Sequence, residues 1–277
     1  MKAALIQLNV SDDPATNLPI TIEYIRQAAA SGAKLVLTPE VTNCISFSRK
    51  HQNSVLRHQD YDETLAALRA LAAELNIWIL IGSLSLKTMD KDARFANRSF
   101  MIGPNGQIAS QYDKIHMFDV QVSQTETYRE SDGYRPGKTA VVAETDVGNI
   151  GMTVCYDLRF AHLYRALAKA GAQILTVPSA FTAVTGAAHW ESLLRARAIE
   201  TGCFVLAPAQ TGRHPVSRGP VRSTWGHSLA VSPWGEVLAD GGKKPGVTMV
   251  DLDLAQVEAA RRRIPALSHD RMFEGPQ

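Results

Sequence analysis

Cysteine is scarce: Cys44, Cys155 and Cys203 are the only three in 277 residues, and none forms a C-x-x-C pair. A disulfide framework and a structural zinc site are thereby excluded. No apolar run approaches the ~18–20 residues of a membrane span. The start, MKAALIQLNV, is basic and then apolar, but Asp12 and Asp13 end it too early for a signal-peptide core. An excess of one charge is missing as well. The 29 basic and 27 acidic residues leave a net charge of +2, too balanced for a general polyanion binder. The eight histidines lack H-E-x-x-H or similar ligand spacing, and neither G-x-G-x-x-G nor a P-loop is present. What is there is an ordinary core-forming composition, 45% hydrophobic and 20% charged, long enough for one large or two small domains. These features predict a soluble, cytoplasmic, globular protein that binds neither nucleic acid nor membrane.

The chain repeats itself. Residues 25–39 read IRQAAASGAKLVLTP and residues 164–178 read YRALAKAGAQILTVP, both in the form helix, Gly-Ala, apolar strand, Pro. ELNIWILIGS from Glu74 matches ETGCFVLAPA from Glu200, and RSFMIGPNGQIA from Arg98 matches HSLAVSPWGEVLA from His227. The three pairs fall in the same order, so each half reads strand, helix, strand, helix, strand, hairpin. Pro104-Asn105-Gly106 and Pro233-Trp234-Gly235 supply the hairpin turns. The near-continuous apolar strands predict burial on both faces. Residues 62–75 put Leu65, Leu68, Ala72 and Leu75 on one helical stripe that needs a sheet to cover. Two such halves should pack sheet to sheet with helices outside, an α/β fold of α-β-β-α sandwich type with an internal pseudo-two-fold repeat. No Pro/Gly/Ser linker separates the halves, so a single domain over 1–277 is expected rather than two.

In open α/β sheets ligand groups gather beyond the carboxyl ends of the strands, and three polar residues fall at strand ends. Glu40 directly follows LVLTP, where burial would raise its pKa toward that of a general base; the bland alternative is a surface carboxylate or helix cap. Cys155 ends NIGMTV at a strand-to-helix turn, where helix N-terminal amides favour thiolate, against the usual buried structural thiol. Lys114 follows the hairpin strand GQIASQYD among the apolar and aromatic neighbours of DKIHMFD, unusual for a solvated lysine. Cys203 reads as strand core and Cys44 as an inert loop thiol. Arg261-Arg262-Arg263 reads as a solvated or structural helix face.

At Glu40, Lys114 and Cys155 the sequence resembles the nitrilase, or carbon–nitrogen hydrolase, superfamily. Its motifs stand here in order as LTPE (37–40), DKIHMFDV (113–120), ESDGYRPG (130–137), VCYDLRF (154–160), PSAF (178–181), TGAAHWESLLRARAIET (185–201) and GHSLAVSPWGEVLA (226–239). The resemblance covers essentially the whole chain and implies the same sandwich fold. It implies a cofactor- and metal-independent amidase with a Glu40, Lys114, Cys155 triad, supported by Glu130. Glu40 takes the Cys155 proton as sulfur attacks the amide carbon. Lys114 and a backbone N–H beside Cys155, that of Tyr156, hold the oxyanion, and a thioester is then hydrolysed. Members form homodimers or larger assemblies.

The run from Pro178 to Thr201 looks most like the Nit branch, whose members hydrolyse the amide of deaminated glutathione to 2-oxoglutarate and cysteinylglycine. The sister activity on 2-oxoglutaramate and 2-oxosuccinamate is the alternative; a silent interaction protein and an acyltransferase are less favoured. The expected substrate-facing residues are Tyr156, Arg159, Ser179, Phe181 and Arg195. A guanidinium suits bidentate recognition of a carboxylate. Arg195 and Arg197, two apart on one helix, point to different faces, so one of them pairs instead with Glu191 or Glu200. Val41-Thr42-Asn43 and the loop from Arg213 to Trp225 depart from the Nit pattern and are expected to border the substrate.

Overall fold

The computed structural model describes residues 1–122, 124 and 126–275. The first half runs β1 (Lys2–Gln7), α1 (Pro14–Ala30), β2 (Leu35–Leu37), α2 (Arg49–Val55), α3 (Glu63–Leu75), β3 (Trp78–Leu86), β4 (Ala96–Ile102) and β5 (Ile108–Asp113). A two-stranded ribbon, β6 (Asp119–Gln121) with β7 (Thr127–Arg129), connects it to the second half. There follow β8 (Val141–Ala143), β9 (Ile150–Met152), α4 (Ala161–Lys169), β10 (Ile174–Thr176), α5 (Ala183–Thr201), β11 (Phe204–Ala207) and the small pair β12 (Thr211–Arg213) and β13 (Ser223–Trp225). The chain closes with β14 (Leu229–Val231), β15 (Val237–Asp240), β16 (Gly246–Asp251) and α6 (Ala255–Arg263).

Two six-stranded sheets result, in the orders β16-β1-β2-β3-β4-β5 and β15-β14-β11-β10-β9-β8. In each, three parallel strands are flanked by an antiparallel hairpin on one side and an antiparallel edge strand on the other. The parallel triplets and hairpins are those the repeat predicts. The edge strands β8 and β16 are additions; β16, from the end of the chain, completes the sheet of the first half.

Strand alternation explains the layers. From the first sheet Ala3, Leu5, Leu35, Leu37 and Leu80 point into the core shared with Met152, Ile174 and Val205 of the second. Their neighbours Ala4, Ile6, Val36, Ile79 and Ile81 point outward onto Ile25 and Ala28 of α1 and Leu68 of α3. A pleated strand covered on both sides must be apolar at every position, which is why these strands read as unbroken runs. On α3 the buried stripe is Leu65, Leu68, Leu71 and Ala72, while Leu75 is only half-buried. Each buried leucine contributes roughly 1.5–3 kcal/mol. Asp62 caps α3 by accepting from the Leu65 N–H at 2.8 Å, and Asn76 ends it in the left-handed region at φ 51°. Cys203 lies just before β11, fully buried, and Cys44 is buried with its thiol on the Asp12 carbonyl at 3.4 Å. Arg261 serves a structural end, donating to the Thr201 and Ala172 carbonyls at 3.1 and 2.7 Å. Among the described residues no helix is long and apolar enough to cross a membrane.

Candidate active site

The carboxyl ends of β2 and β9 meet where the two halves face each other, and the three strand-end residues converge there. Beyond β2 the chain turns sharply. The Thr38 hydroxyl accepts from the Gly82 N–H at 3.0 Å, the Val41 N–H donates to Ser83 Oγ at 2.8 Å, and Val41 takes φ 49°. Gly82 is required at this crossing. A Cβ there would stand 2.0 Å from the Thr38 carbonyl oxygen and 2.5 Å from Pro178 Cβ. The turn delivers Glu40 into the interior, 4% exposed. The second half clamps it, because the Ala180 N–H donates to Oε2 at 2.8 Å and Gln210 Nε2 to the Glu40 carbonyl at 3.0 Å.

Lys114, just past β5, is 2% exposed, and its ammonium bridges two carboxylates. Nζ donates to Glu40 Oε1 at 3.0 Å and to Glu130 Oε1 and Oε2 at 3.0 and 2.8 Å. Glu130 Oε2 also accepts from the Phe118 N–H at 2.7 Å. Asn97 of β4 completes the cluster. Its Nδ2 reaches Glu40 Oε1 at 2.9 Å and Glu130 Oε1 at 3.3 Å, and its buried Oδ1 has no partner among the described residues.

Cys155 opens a short 3-10 turn over 155–159 rather than ending β9, which stops at Met152. It sits at φ 51°, a conformation that costs a residue bearing a Cβ of order 1 kcal/mol or more and turns the sulfur toward Glu40. Its N–H is held by the Pro178 carbonyl at 3.0 Å. Behind it the fully buried Asp157 accepts from Tyr112 Oη at 2.7 Å, the Val154 N–H at 2.9 Å, and the His116 N–H and Nδ1 at 3.0 and 2.7 Å. One carboxylate thus ties the lysine loop to the cysteine turn.

The electrostatics correct two expectations. Burial by itself would push the Glu40 carboxyl up, but Lys114, Arg222 and the hydrogen bond from the Cys155 thiol outweigh it and hold Glu40 below the usual carboxylate range. Burial and the nearby Glu40 charge push the Cys155 thiol up, against the opposing pull of Lys114, so the turn does not favour thiolate. Burial would lower the Lys114 ammonium, but Glu130 and Glu40 raise it well above its ordinary value. The resting cluster is therefore carboxylate, ammonium and thiol, with the acceptor for the thiol proton already charged.

Above the cluster lies a cavity of about 360 Å³, lined by Glu40, Asn97, Lys114, Glu130 and Cys155 at its polar side. Val41, Phe47, Phe118, Tyr128, Tyr156 and Phe181 wall it, and Arg49, Arg129 and Arg222 bring further positive charge. Of the substrate-facing residues expected from sequence, Tyr156 and Phe181 line it. Ser179 does not: it is fully buried with its hydroxyl on the Val177 carbonyl at 3.0 Å. By the repeat it stands where Glu40 stands in the other half, Pro178 matching Pro39, so the strand end it occupies is the structural copy of the one that carries Glu40. Arg159 lies outside the cavity, against the Tyr156 and Phe181 rings at 5.9 and 5.6 Å with its Nη2 3.2 Å from His189 Nδ1. Arg195 is also outside, donating to the Gly235 carbonyl at 2.8 Å and to Glu191 at 3.3 Å. Arg197 is taken by the Leu158 carbonyl at 2.9 Å and Glu200 at 2.8 Å, so both helix arginines are structural. The departing segments do reach the site through Val41 and Arg222, whereas Trp225 packs on Gly186 and His227. Asn97 and Arg222 were missed; neither follows the end of a strand, the signal that singled out Glu40, Lys114 and Cys155, and neither was among the residues the family resemblance brought in, as Glu130 was.

Comparison with known proteins identifies the family. The model of the family described as carbon-nitrogen hydrolase matches residues 2–262. A Yersinia enterocolitica protein named deaminated glutathione amidase is 40% identical over 269 residues, 97% of this chain and 92% of its own length. The crystal structure of the Caenorhabditis elegans NitFhit protein superposes with a TM-score of 0.89 at 34% identity, covering 98% of this chain and 65% of that one. An amidase from Nesterenkonia sp. AN1 with acrylamide added at its active-site cysteine gives 0.76 at 25% identity, over 96% and 98% of the two chains. By fold, by the match along nearly its full length and by these relatives, the chain belongs to the carbon–nitrogen hydrolase family and is a hydrolase acting on amides.

Proposed function

We propose that the chain is a cysteine amidase that cleaves the amide of deaminated glutathione, giving 2-oxoglutarate and cysteinylglycine. The observation that carries this reading is the buried cluster of Glu40, Lys114, Glu130 and Cys155 on the polar side of one cavity. In the first step the Glu40 carboxylate takes the thiol proton as the Cys155 sulfur bonds to the amide carbon. The carbonyl oxygen gains the negative charge, and the Lys114 ammonium and the Tyr156 N–H hold it. Glu130 keeps that ammonium charged and aimed. Collapse breaks the C–N bond as Glu40 returns its proton to the leaving nitrogen. Water, deprotonated by Glu40, then attacks the thioester; the C–S bond breaks, the thiol is restored and the acid departs. The covalent adduct on the cysteine of the Nesterenkonia amidase supports Cys155 as nucleophile, and the name of the Yersinia relative supports the substrate. The cavity volume falls in the range of small-molecule sites.

The test compares kcat/KM for deaminated glutathione, intact glutathione and 2-oxoglutaramate. Intact glutathione carries an ammonium where the keto oxygen belongs and should be rejected; deaminated glutathione should lead. A tenfold or greater preference for 2-oxoglutaramate, about 1.4 kcal/mol in transition-state binding, replaces this reading with the sister activity. The reading includes a cytoplasmic location, which suits three free thiols. It also includes a homodimer or larger assembly, which suits the exposed apolar Ile199, Trp234 and Ile264 around one surface groove and is read by sedimentation.

A further inference from the structure

Four cations line the cavity, and their partners differ. Lys114 is saturated by Glu40 and Glu130. Arg49 donates to the Gly133 carbonyl and, at 3.2 Å, to the Ala93 carbonyl, with its guanidinium 4.0 Å over the Phe95 ring. Arg129 is exposed on the β6–β7 ribbon. Arg222 is half-buried, and among the described residues no carboxylate pairs with it. Its Nη2 donates to the Ala180 carbonyl, its guanidinium lies 5.7 Å from the Tyr128 ring centroid, and its buried Nε has no acceptor. Glu40 is its nearest counter-charge but makes no hydrogen bond to it. A partly desolvated guanidinium with no carboxylate in contact is costly, a cost that a bound anion relieves.

Its position is specific. Ala180 donates its N–H to Glu40 and offers its C=O to Arg222, so the guanidinium stands one residue along the backbone from the carboxylate that accepts the thiol proton. Its loop is held in place before any ligand arrives. The His214 N–H donates to the Arg222 carbonyl at 2.9 Å. The His214 ring spans the Val10 carbonyl and Thr224 Oγ1, each at 2.8 Å. Ser217 donates its N–H and hydroxyl to the buried Asp12 Oδ2 at 2.8 and 2.7 Å.

We propose that Arg222 is the carboxylate-binding group of this site, receiving the α-keto carboxylate of the substrate's acyl half and so selecting amides whose acyl chain ends in an anion. The inference rests on the amidase reading above. In that substrate the carboxylate carbon lies four C–C bonds from the amide carbon, about 5 Å when extended, which suits a guanidinium beside the catalytic cluster. The planar fork matches a carboxylate in a way an ammonium does not. Arg159 and Arg195, which sequence favoured for this task, lie outside the cavity.

The experiment measures the ratio of kcat/KM for deaminated glutathione over pentanamide, a neutral amide of the same acyl length, in wild type, Arg222→Gln, Arg222→Lys and the surface control Arg195→Gln. Loss of a charge-assisted pair lowers the ratio on the order of 10- to 100-fold in Arg222→Gln, chiefly through KM. Arg222→Lys keeps the charge without the fork and falls between; if the Gln variant does not fold, a drop in the Lys variant carries the result. A ratio within about threefold of wild type in whichever variants fold overturns the proposal, as does an equal drop in Arg195→Gln. If wild type cleaves no α-keto amide, the substrate reading fails on its own, and Arg222 is then tested by competitive inhibition of pentanamide hydrolysis by 2-oxoglutarate. A Ki raised tenfold or more in Arg222→Gln supports carboxylate binding; an unchanged Ki, or no inhibition of wild type, overturns it.

Discussion

Cys155 holds its proton at rest while Glu40 and Lys114 are charged, and this division sets what mutation and pH should do. Cys155→Ala should abolish turnover with the fold retained, and intact-mass measurement on wild type with a slow substrate should find the acyl group on Cys155; an adduct on Cys44 or Cys203 would remove Cys155 from the role. Glu40→Gln removes the proton acceptor, and Lys114→Ala removes an oxyanion donor, typically on the order of 100-fold or more. Because one ammonium contacts both carboxylates, the double variant should be scarcely slower than the poorer single one. Additive losses would place the two residues in separate steps. The pH profile follows from the same charges. Glu40, held below the usual carboxylate range, stays ionised well into acid, and Lys114, raised, stays protonated well into base. The kcat/KM profile should therefore be flat between about pH 5 and 8. An acid limb near neutrality, which a carboxyl raised by burial alone would give, would contradict this charge state.

Elements place those residues, and Gly82 shows how tightly. On β3 it faces the turns that follow β2 and β10, the first carrying Glu40 and the second supporting Cys155 through Pro178. Gly82→Ala would set a methyl against the Thr38 and Pro39 carbonyl oxygens and Pro178 Cβ, at 2.0, 2.5 and 2.5 Å. Backbone and a proline ring yield little, so the loss should reach ~3 kcal/mol, seen as a Tm lowered by roughly 6–12 °C. Activity at a temperature where the variant remains folded should fall as well, since both turns move; unchanged kcat/KM would show the site tolerates the shift. The parallel triplets, hairpins and helix α3 were legible because burial on both faces writes unbroken apolar runs and one-sided burial writes a stripe. Edge strands β8 and β16 are partly exposed and have no counterpart in the repeat, so the brief AVVA of KTAVVAET and the interrupted PGVTMVD did not stand out. At the site, strand-end placement and motif order revealed Glu40, Lys114, Cys155 and Glu130. Arg222 was hidden because its place depends on His214, Ser217 and Asp12, contacts made between residues more than 200 positions apart that no local pattern records.

Across the whole molecule the halves are joined by a shared core between the sheets, by β16 closing the sheet of the first half, and by the buried His214. We propose on this basis that residues 1–277 form one cooperative domain, so near-UV and far-UV signals should trace a single denaturant transition; two separated transitions would mean two domains. His214 supplies a second reading of the same joint. Burial lowers its pKa from 6.5 to about 4, and the neutral ring donates from Nδ1 to the Val10 carbonyl while Nε2 accepts from the Thr224 hydroxyl. The unfolded chain protonates this imidazole near 6.5, so between that value and about 4 the unfolded state binds more protons. Stability is full above the upper value and is lost as pH falls through the window, by roughly 3 kcal/mol at most. Carboxylates such as Glu40, lowered in the folded state, lose their contribution only further into acid. Unfolding free energy measured at closely spaced pH values should thus decline between about 6.5 and 4, and His214→Gln, less stable at neutral pH, should flatten that slope. An identical slope in the variant would mean that other groups carry the acid sensitivity and that the ring at this joint does not resist its proton.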